Sequence, residues 1–214
     1  MTTLIVIRHG QSVANEEDKF AGFSDFDLTA LGKKQAELAA NYIKERYTVD
    51  AVYASDLLRA YNTGLPTARA FGLEINKSEK LREVYAGRWE GVTYSDINKT
   101  DREIFSLWTR DYLNAYCPEG ESVRDVCVRV WEETKKIVKD HEGQTIVIAS
   151  HANPVWAIRE LTQKPSEKRT NDALVANASI SIIGYENGEF FEIRSNITEH
   201  LGDLVTELPD LEKA

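Results

Sequence analysis

Two histidines stand where strands should end. Leu4 to Ile7 is a short apolar run that leads straight into Arg8, His9, Gly10, Gln11 and Ser12, and Thr145 to Ala149 leads into Ser150, His151, Ala152 and Asn153. Open α/β sheets bind ligands at the C-terminal ends of their strands, so two imidazoles at two such ends can converge on one pocket. A third run, Ala51 to Ala54, is followed by Ser55-Asp56-Leu57-Leu58-Arg59-Ala60, which places Arg59 on the first turn of a helix, where the dipole already favours an anion. A neutral imidazole is a competent nucleophile near pH 7, and guanidinium groups match phosphoryl oxygens in charge and geometry. Singly, each residue has an ordinary reading: a strand-end histidine is commonly a hydrogen-bonded structural residue, and a first-turn arginine a salt-bridged one. Together, Arg8, His9, Arg59 and His151 would form a phosphate cage. The other two histidines, His141 in the polar run Lys139 to Gly143 and His200 near the C-terminus, read as surface residues.

The elements that must position these groups follow from periodicity. Apolar runs rich in β-branched residues, Ile180 to Tyr185 being a fourth, alternate with amphipathic stretches, which implies an α/β three-layer sandwich with a mostly parallel central sheet flanked by helices. Thr29 can cap a helix reaching to about Tyr47, and Asp56 is the expected cap of the next. Gly64 and Pro66 predict a kink or an early stop in that second helix before Phe71. Glu103 to Asn114 and Ser122 to Val138 read as two further helices separated by Pro118, Glu119 and Gly120, within a helical insertion over one sheet face at about 95–140. Pro154 to Leu161 suits a helix with proline in its first turn, and Asn187-Gly188 is a hairpin signal. No repeat or linker divides the chain, so a single domain over 1–214 is expected.

Composition narrows the partners. The chain has 214 residues and is 42% hydrophobic, enough for one substantial core. Lys and Arg total 26 against 35 Asp and Glu, a formal charge of -9, which weighs against nucleic acid and anionic membrane as partners. Cys117 and Cys127 lack metal-ligand spacing and read as reduced, half-buried thiols; no metal is expected. The opening MTTLIVIRHG has too short an apolar run for a signal peptide or a membrane span, so a cytoplasmic protein is expected.

The motifs themselves are specific. Arg8-His9-Gly10-Gln11-Ser12-Val13-Ala14-Asn15, followed by Gly22, Asp25, Leu28-Thr29-Ala30-Leu31-Gly32 and Gln35-Ala36, closely resembles the N-terminal signature of the histidine phosphatase superfamily, the clan of cofactor-dependent phosphoglycerate mutases. Ser55 to Ala60, Leu81-Arg82-Glu83 with Gly87-Arg88-Trp89-Glu90-Gly91, and Ser150-His151 match later blocks in the expected order. The resemblance implies a phosphoglycerate mutase-like fold in which His9 is the nucleophile, Arg8, Arg59 and His151 grip the phosphoryl oxygens, Asn15 adds a hydrogen bond, and Glu83 is the general acid. For that last role Glu83 must be protonated near neutrality, which burial beside Val84 and Trp89 would favour and the guanidinium groups would oppose. Without the motif, Glu83 would read as a loop carboxylate paired with Arg82. Gly22, Phe23 and Ala152 join Asn15 as candidate substrate contacts, with Phe20 and Phe23 expected half exposed near the pocket rim. Trp108, Tyr112, Tyr116 and Trp131 read as packing residues.

Two departures from the family pattern matter. Ala152 replaces the usual glycine after the second histidine, where a need for positive φ would be costly and a methyl group could crowd the phosphate. Ala14 stands where the mutase branch carries Trp. That residue, and a Glu83-to-Gly91 block unlike the mutase Glu-Arg-His/Tyr-Tyr-Gly, point to a metal-independent phosphomonoesterase acting on a small phosphate ester with no cofactor. The alternative is a mutase dependent on 2,3-bisphosphoglycerate, and a third reading is an inactive phosphate-binding member of the clan. Oligomeric state is not legible, although the hairpin at Asn187 offers an edge for a homodimer.

Overall fold

The computed structural model describes residues 1–162 and 175–206. Its six strands are β1 (Thr2–Arg8), β2 (Ala51–Ala54), β3 (Ile75–Lys77), β4 (Thr145–Ser150), β5 (Ile180–Glu186) and β6 (Glu189–Ile197), in the order β3-β2-β4-β1-β5-β6. The first four in that order are mutually parallel, while β5 and β6 run antiparallel at one side. Alternation along β1 sends Leu4 and Val6 to one face and Ile5 and Ile7 to the other. The first face is covered by α7 (Val123–Asp140) and α8 (Ala152–Glu160), through Val126, Val130, Ile137, Val155 and Ile158. The second is covered by α2 (Ala30–Lys44) and α3 (Leu58–Phe71), through Ala39, Ile43 and Ala68. The three layers are therefore those the periodicity implied. Among the described residues no helix is long and apolar enough to cross a membrane.

Several local expectations are corrected. α3 does not stop at Pro66: its buried residues Ala60, Thr63, Gly64, Thr67 and Ala68 recur at helical spacing, and packing that stripe on the sheet outweighs an interior proline costing about 3 kcal/mol. Asp56 does not cap this helix; its carboxylate binds Arg82 instead, with Oδ1 accepting from Nε at 2.8 Å. The cap comes from a distant loop, where Asp25 Oδ1 accepts the Leu58 N–H at 2.7 Å.

The expected single helix from Glu103 to Asn114 is broken into pieces. α4 (Tyr94–Thr100), α5 (Arg102–Phe105) and α6 (Leu107–Arg110) are followed by one 3-10 turn, Tyr112–Asn114. Asp101 and Asp111 leave helical geometry, and their carboxylates accept from Trp89 Nε1 and Asn114 Nδ2, so side-chain bonds compete with helix continuation there. Both cysteines are buried, deeper than expected, with Cys117 in the turn before α7. The hairpin signal holds: Asn187 and Gly188 both have positive φ, as a type I′ turn requires.

Candidate active site

β1 and β4 are neighbours in register, Arg8 opposite Ser150, so His9 and His151 emerge side by side. Their ring centroids are 5.2 Å apart at 64°. The backbone of His9 is held on both edges: its N–H donates to Ser150 O at 2.8 Å, and its carbonyl accepts from Ala178 N and Asn177 Nδ2, each at 3.1 Å. Ala178 presents that N–H at a φ of 55°, a left-handed conformation that costs a non-glycine residue energy and that the surrounding contacts must impose. The loop after β1 packs so tightly on α2 that a Cβ on Gly32 would sit 2.0 Å from the Gln11 carbonyl oxygen. α3 joins the same loop through Thr63, whose hydroxyl accepts the Gly10 N–H at 3.0 Å and donates to Arg59 O at 2.7 Å.

The four cage residues are brought together and buried: Arg8 is 7% exposed, His9 4%, Arg59 and His151 0%. His9 Nδ1 lies 2.7 Å from the Gly10 carbonyl, which can only accept, so Nδ1 carries the proton and Nε2 keeps the lone pair. Burial, then the positive charges of Arg59 and Arg8, press the His9 pKa well below its ordinary value, so the ring is neutral at neutral pH. His151 is lowered for the same reasons, burial first and Arg59 next, and neither of its ring nitrogens has a partner among the described residues. Burial, with a smaller push from the charge of Arg8, brings the Arg59 pKa down to about 10 against opposition from Glu83, Asp25 and Glu90, and leaves it charged. Nε of Arg8 and Nε of Arg59 are likewise buried without partners among the described residues. Unsatisfied buried donors cost about 1–3 kcal/mol each, so this concentration marks a place built for an anion.

Arg59 is aimed by the loop that precedes α2. Its Nη1 donates to Ser24 O at 2.9 Å and its Nη2 to Gly22 O at 2.7 Å. That loop is tied from its other side by Glu90, a residue whose role the sequence reading did not anticipate. Glu90 Oε1 accepts from Phe23 N at 2.7 Å and Ala86 N at 3.0 Å, and Oε2 accepts from Ser24 N at 2.8 Å. A Cβ on Gly22 would lie 2.1 Å from Glu90 Oε1, and Gly22 has a φ of 45°, so only glycine fits.

Glu83 is buried at the wall of the site and does not pair with Arg82, which is engaged by Asp56. Glu83 Oε1 accepts from Val84 N at 2.9 Å and Asn153 N at 3.3 Å. Beside it, partly buried Tyr112 donates to Asn153 Oδ1, and Tyr94 has its pKa raised by desolvation to about 12, so both phenols stay neutral.

Of the candidate substrate contacts, Asn15, in the short helix α1 (Val13–Glu16), lies next to the cage, with its Oδ1 accepting from Ser12 N at 3.0 Å and Asn177 Nδ2 at 3.1 Å. Phe23 is half-buried, its ring 5.2 Å from that of Tyr85. Phe20 is instead a core residue, packed on Trp89, Tyr94 and Trp108. Ala152 opens α8 with an ordinary helical backbone, so this position needs no positive φ and the alanine is unstrained. His200 is not a surface residue: its Nε2 meets Ala178 O at 3.0 Å, directly behind His9. His141, farther away, meets Tyr53 Oη at 2.9 Å.

Comparison with known proteins shows the family. Residues 4–198 match the family model of the histidine phosphatase superfamily (branch 1). Phosphoserine phosphatase 1 of Hydrogenobacter thermophilus is 32% identical over 207 residues, which cover 97% of this chain and 98% of that protein. The 2,3-bisphosphoglycerate-dependent phosphoglycerate mutase of Bartonella tribocorum is 35% identical over 163 residues, 73% of this chain and 79% of that one. Among solved structures, Bacillus stearothermophilus YhfR superposes with a TM-score of 0.85 at 26% identity, covering 94% of this chain and 100% of that one. A histidine-to-alanine mutant of Entamoeba histolytica phosphoserine phosphatase, in complex with phosphoserine, superposes with a TM-score of 0.79 at 27% identity over 94% of this chain and 100% of that one. With its two paired histidines, its buried arginines and a family match spanning nearly its whole length, this chain belongs to the histidine phosphatase superfamily, branch 1.

Proposed function

We propose that the chain is a metal-independent phosphomonoesterase that passes the phosphoryl group of a small metabolite ester through His9 to water. The observation that carries this reading is the state of His9: buried, neutral, and protonated on Nδ1 by its bond to Gly10, so that the Nε2 lone pair is available to phosphorus. In the first step Nε2 forms the N–P bond as the ester P–O bond breaks, and the leaving oxygen takes its proton from Glu83. In the second, water attacks the phosphohistidine, Glu83 accepts the proton, and His9 and inorganic phosphate are released. Arg8, Arg59 and His151 supply donors to the equatorial oxygens, the charge stabilisation that Mg²⁺ provides in other phosphoryl-transfer enzymes.

The substrate is a small phosphorylated metabolite, and phosphoserine heads the candidates because proteins named for that activity resemble this chain over nearly all its length. The mutase reading is kept because a mutase is 35% identical to this chain. Phosphate release from p-nitrophenyl phosphate, phosphoserine and 3-phosphoglycerate, measured beside 3-phosphoglycerate isomerisation with and without 2,3-bisphosphoglycerate, separates the two. Phosphate release that survives chelator and is abolished in His9→Ala is expected. Isomerisation dependent on the bisphosphate and faster than phosphate release would replace the phosphatase by the mutase, and activity restored only by added metal would overturn the cage mechanism.

A further inference from the structure

Arg129, midway along α7, commits its whole guanidinium to one wall of the site. Nε donates to Glu121 Oε1 at 2.9 Å and Nη2 to Glu121 Oε2 at 2.8 Å, a two-pronged ion pair. The remaining N–H groups go to backbone: Nη1 to Lys80 O at 2.9 Å and Arg82 O at 2.6 Å, Nη2 to Glu83 O at 2.6 Å. An arginine has five N–H donors, and all five are used. Glu121 Oε2 also accepts the Tyr85 N–H at 2.8 Å, so the ion pair grips the chain on both sides of Glu83.

Other bonds hold that segment at its flanks, Ser150 Oγ donating to Leu81 O at 2.6 Å and Glu121 N to Tyr85 O at 2.9 Å, while Arg129 takes the carbonyl of Glu83 itself. The segment belongs to no strand, and Arg82 has an extended φ of -61° and ψ of 158°. An ordinary surface ion pair would not take three consecutive-region carbonyls and an amide from one short stretch, and this pair is only 17% and 23% exposed. Arg82 is separately engaged with Asp56.

We propose that Arg129, braced by Glu121, is a positioning residue for the general acid: it fixes the backbone at Glu83 so that the carboxyl group meets the leaving oxygen. The proposal rests on the reading of Glu83 as the proton donor. Lysine keeps the charge at 129 but cannot present the planar fork that reaches Glu121 and three carbonyls at once.

The test is turnover of wild type, Glu83→Gln, Arg129→Lys, Glu121→Gln and the Glu83→Gln/Arg129→Lys double variant on phosphate monoesters running from p-nitrophenyl to primary alkyl. A misplaced acid hurts only where the leaving oxygen needs a proton, whereas general loosening of the fold slows every ester alike. Arg129→Lys should lower kcat on alkyl esters by roughly 10- to 100-fold, part of the hundred- to ten-thousand-fold that proton donation supplies, with p-nitrophenyl phosphate within about threefold of wild type. Glu121→Gln should move in the same direction, and the double variant should be no slower on alkyl esters than Glu83→Gln alone. Should Arg129→Lys not fold by circular dichroism, Glu121→Gln carries the test, since Gln keeps the acceptor for the Tyr85 N–H. Equal losses across the series, or independent losses in the double variant, would overturn the positioning role. A flat leaving-group profile in Glu83→Gln would instead overturn the acid assignment on which it rests.

Discussion

At the scale of single residues, the site solves a conflict between charge and nucleophilicity. In the proposed mechanism Arg8 and Arg59 must be cationic to hold a phosphoryl group, yet His9 must be neutral to attack it. Burial and the two guanidinium groups together push His9 towards the neutral form, so the charges proposed to bind the substrate also keep the proposed nucleophile unprotonated. The aim of Arg59 then depends on Gly22. In Gly22→Ala the new Cβ would meet Glu90 Oε1, forcing the loop off the carboxylate and moving the two carbonyls that orient Arg59. KM for the phosphate ester is expected to rise about tenfold or more and kcat to fall with it, in keeping with the cost of disturbing one charge-stabilising donor. Steady-state kinetics on p-nitrophenyl phosphate checks this; wild-type parameters in the variant would show that the latch does not set the arginine.

At the scale of elements, what the sequence disclosed and what it hid divide by distance along the chain. The strand ends that carry His9 and His151, and the helix turn that carries Arg59, are local patterns, and each lies where periodicity put it. Asp25 capping α3 across 33 positions, Glu90 reaching the loop at 22–24, and Arg129 gripping Glu83 are contacts between segments that only the fold brings together. No spacing rule announces them, and nearer residues offered plausible local roles: Asp56 for the cap and Arg82 as the partner of Glu83. The three-residue β3 is too short for a periodic signal, and Pro66 misled because propensity counts one residue while a packed helix face counts five. Asp25→Ala tests the long-range cap. The loss of a helix N-cap side chain costs about 0.5–2 kcal/mol, so the urea midpoint should fall with an unchanged m-value, whereas Asp56→Ala should leave the N-terminus of α3 intact by hydrogen exchange at Leu58.

At the scale of the whole molecule, an acidic chain of net charge -9 buries two arginines beside two histidines, and histidine is the side chain that titrates near neutrality. His9 and His151 are both held well below the ordinary histidine value in the folded state, chiefly by burial. Above about pH 6.5, the unperturbed value, both are neutral whether the chain is folded or not, and they contribute no pH dependence. As pH falls below that, the unfolded chain takes up protons that the folded chain refuses, so stability is lost from about 6.5 downward, towards the depressed folded values. Each such imidazole can steepen the loss by up to about 1.4 kcal/mol per pH unit. Carboxylates act in a different window: Asp56, held low by Arg82, and Asp125, held low by Ser122, give up their stabilisation only below about pH 4. Urea unfolding between pH 7.5 and 5.5 should therefore show a plateau and then a decline, shallower in His9→Gln, where one of the two buried imidazoles is gone. A stability that stays level through pH 6 in the wild-type chain would mean that these histidines accept protons in the folded state, and that the neutral nucleophile is not its resting form.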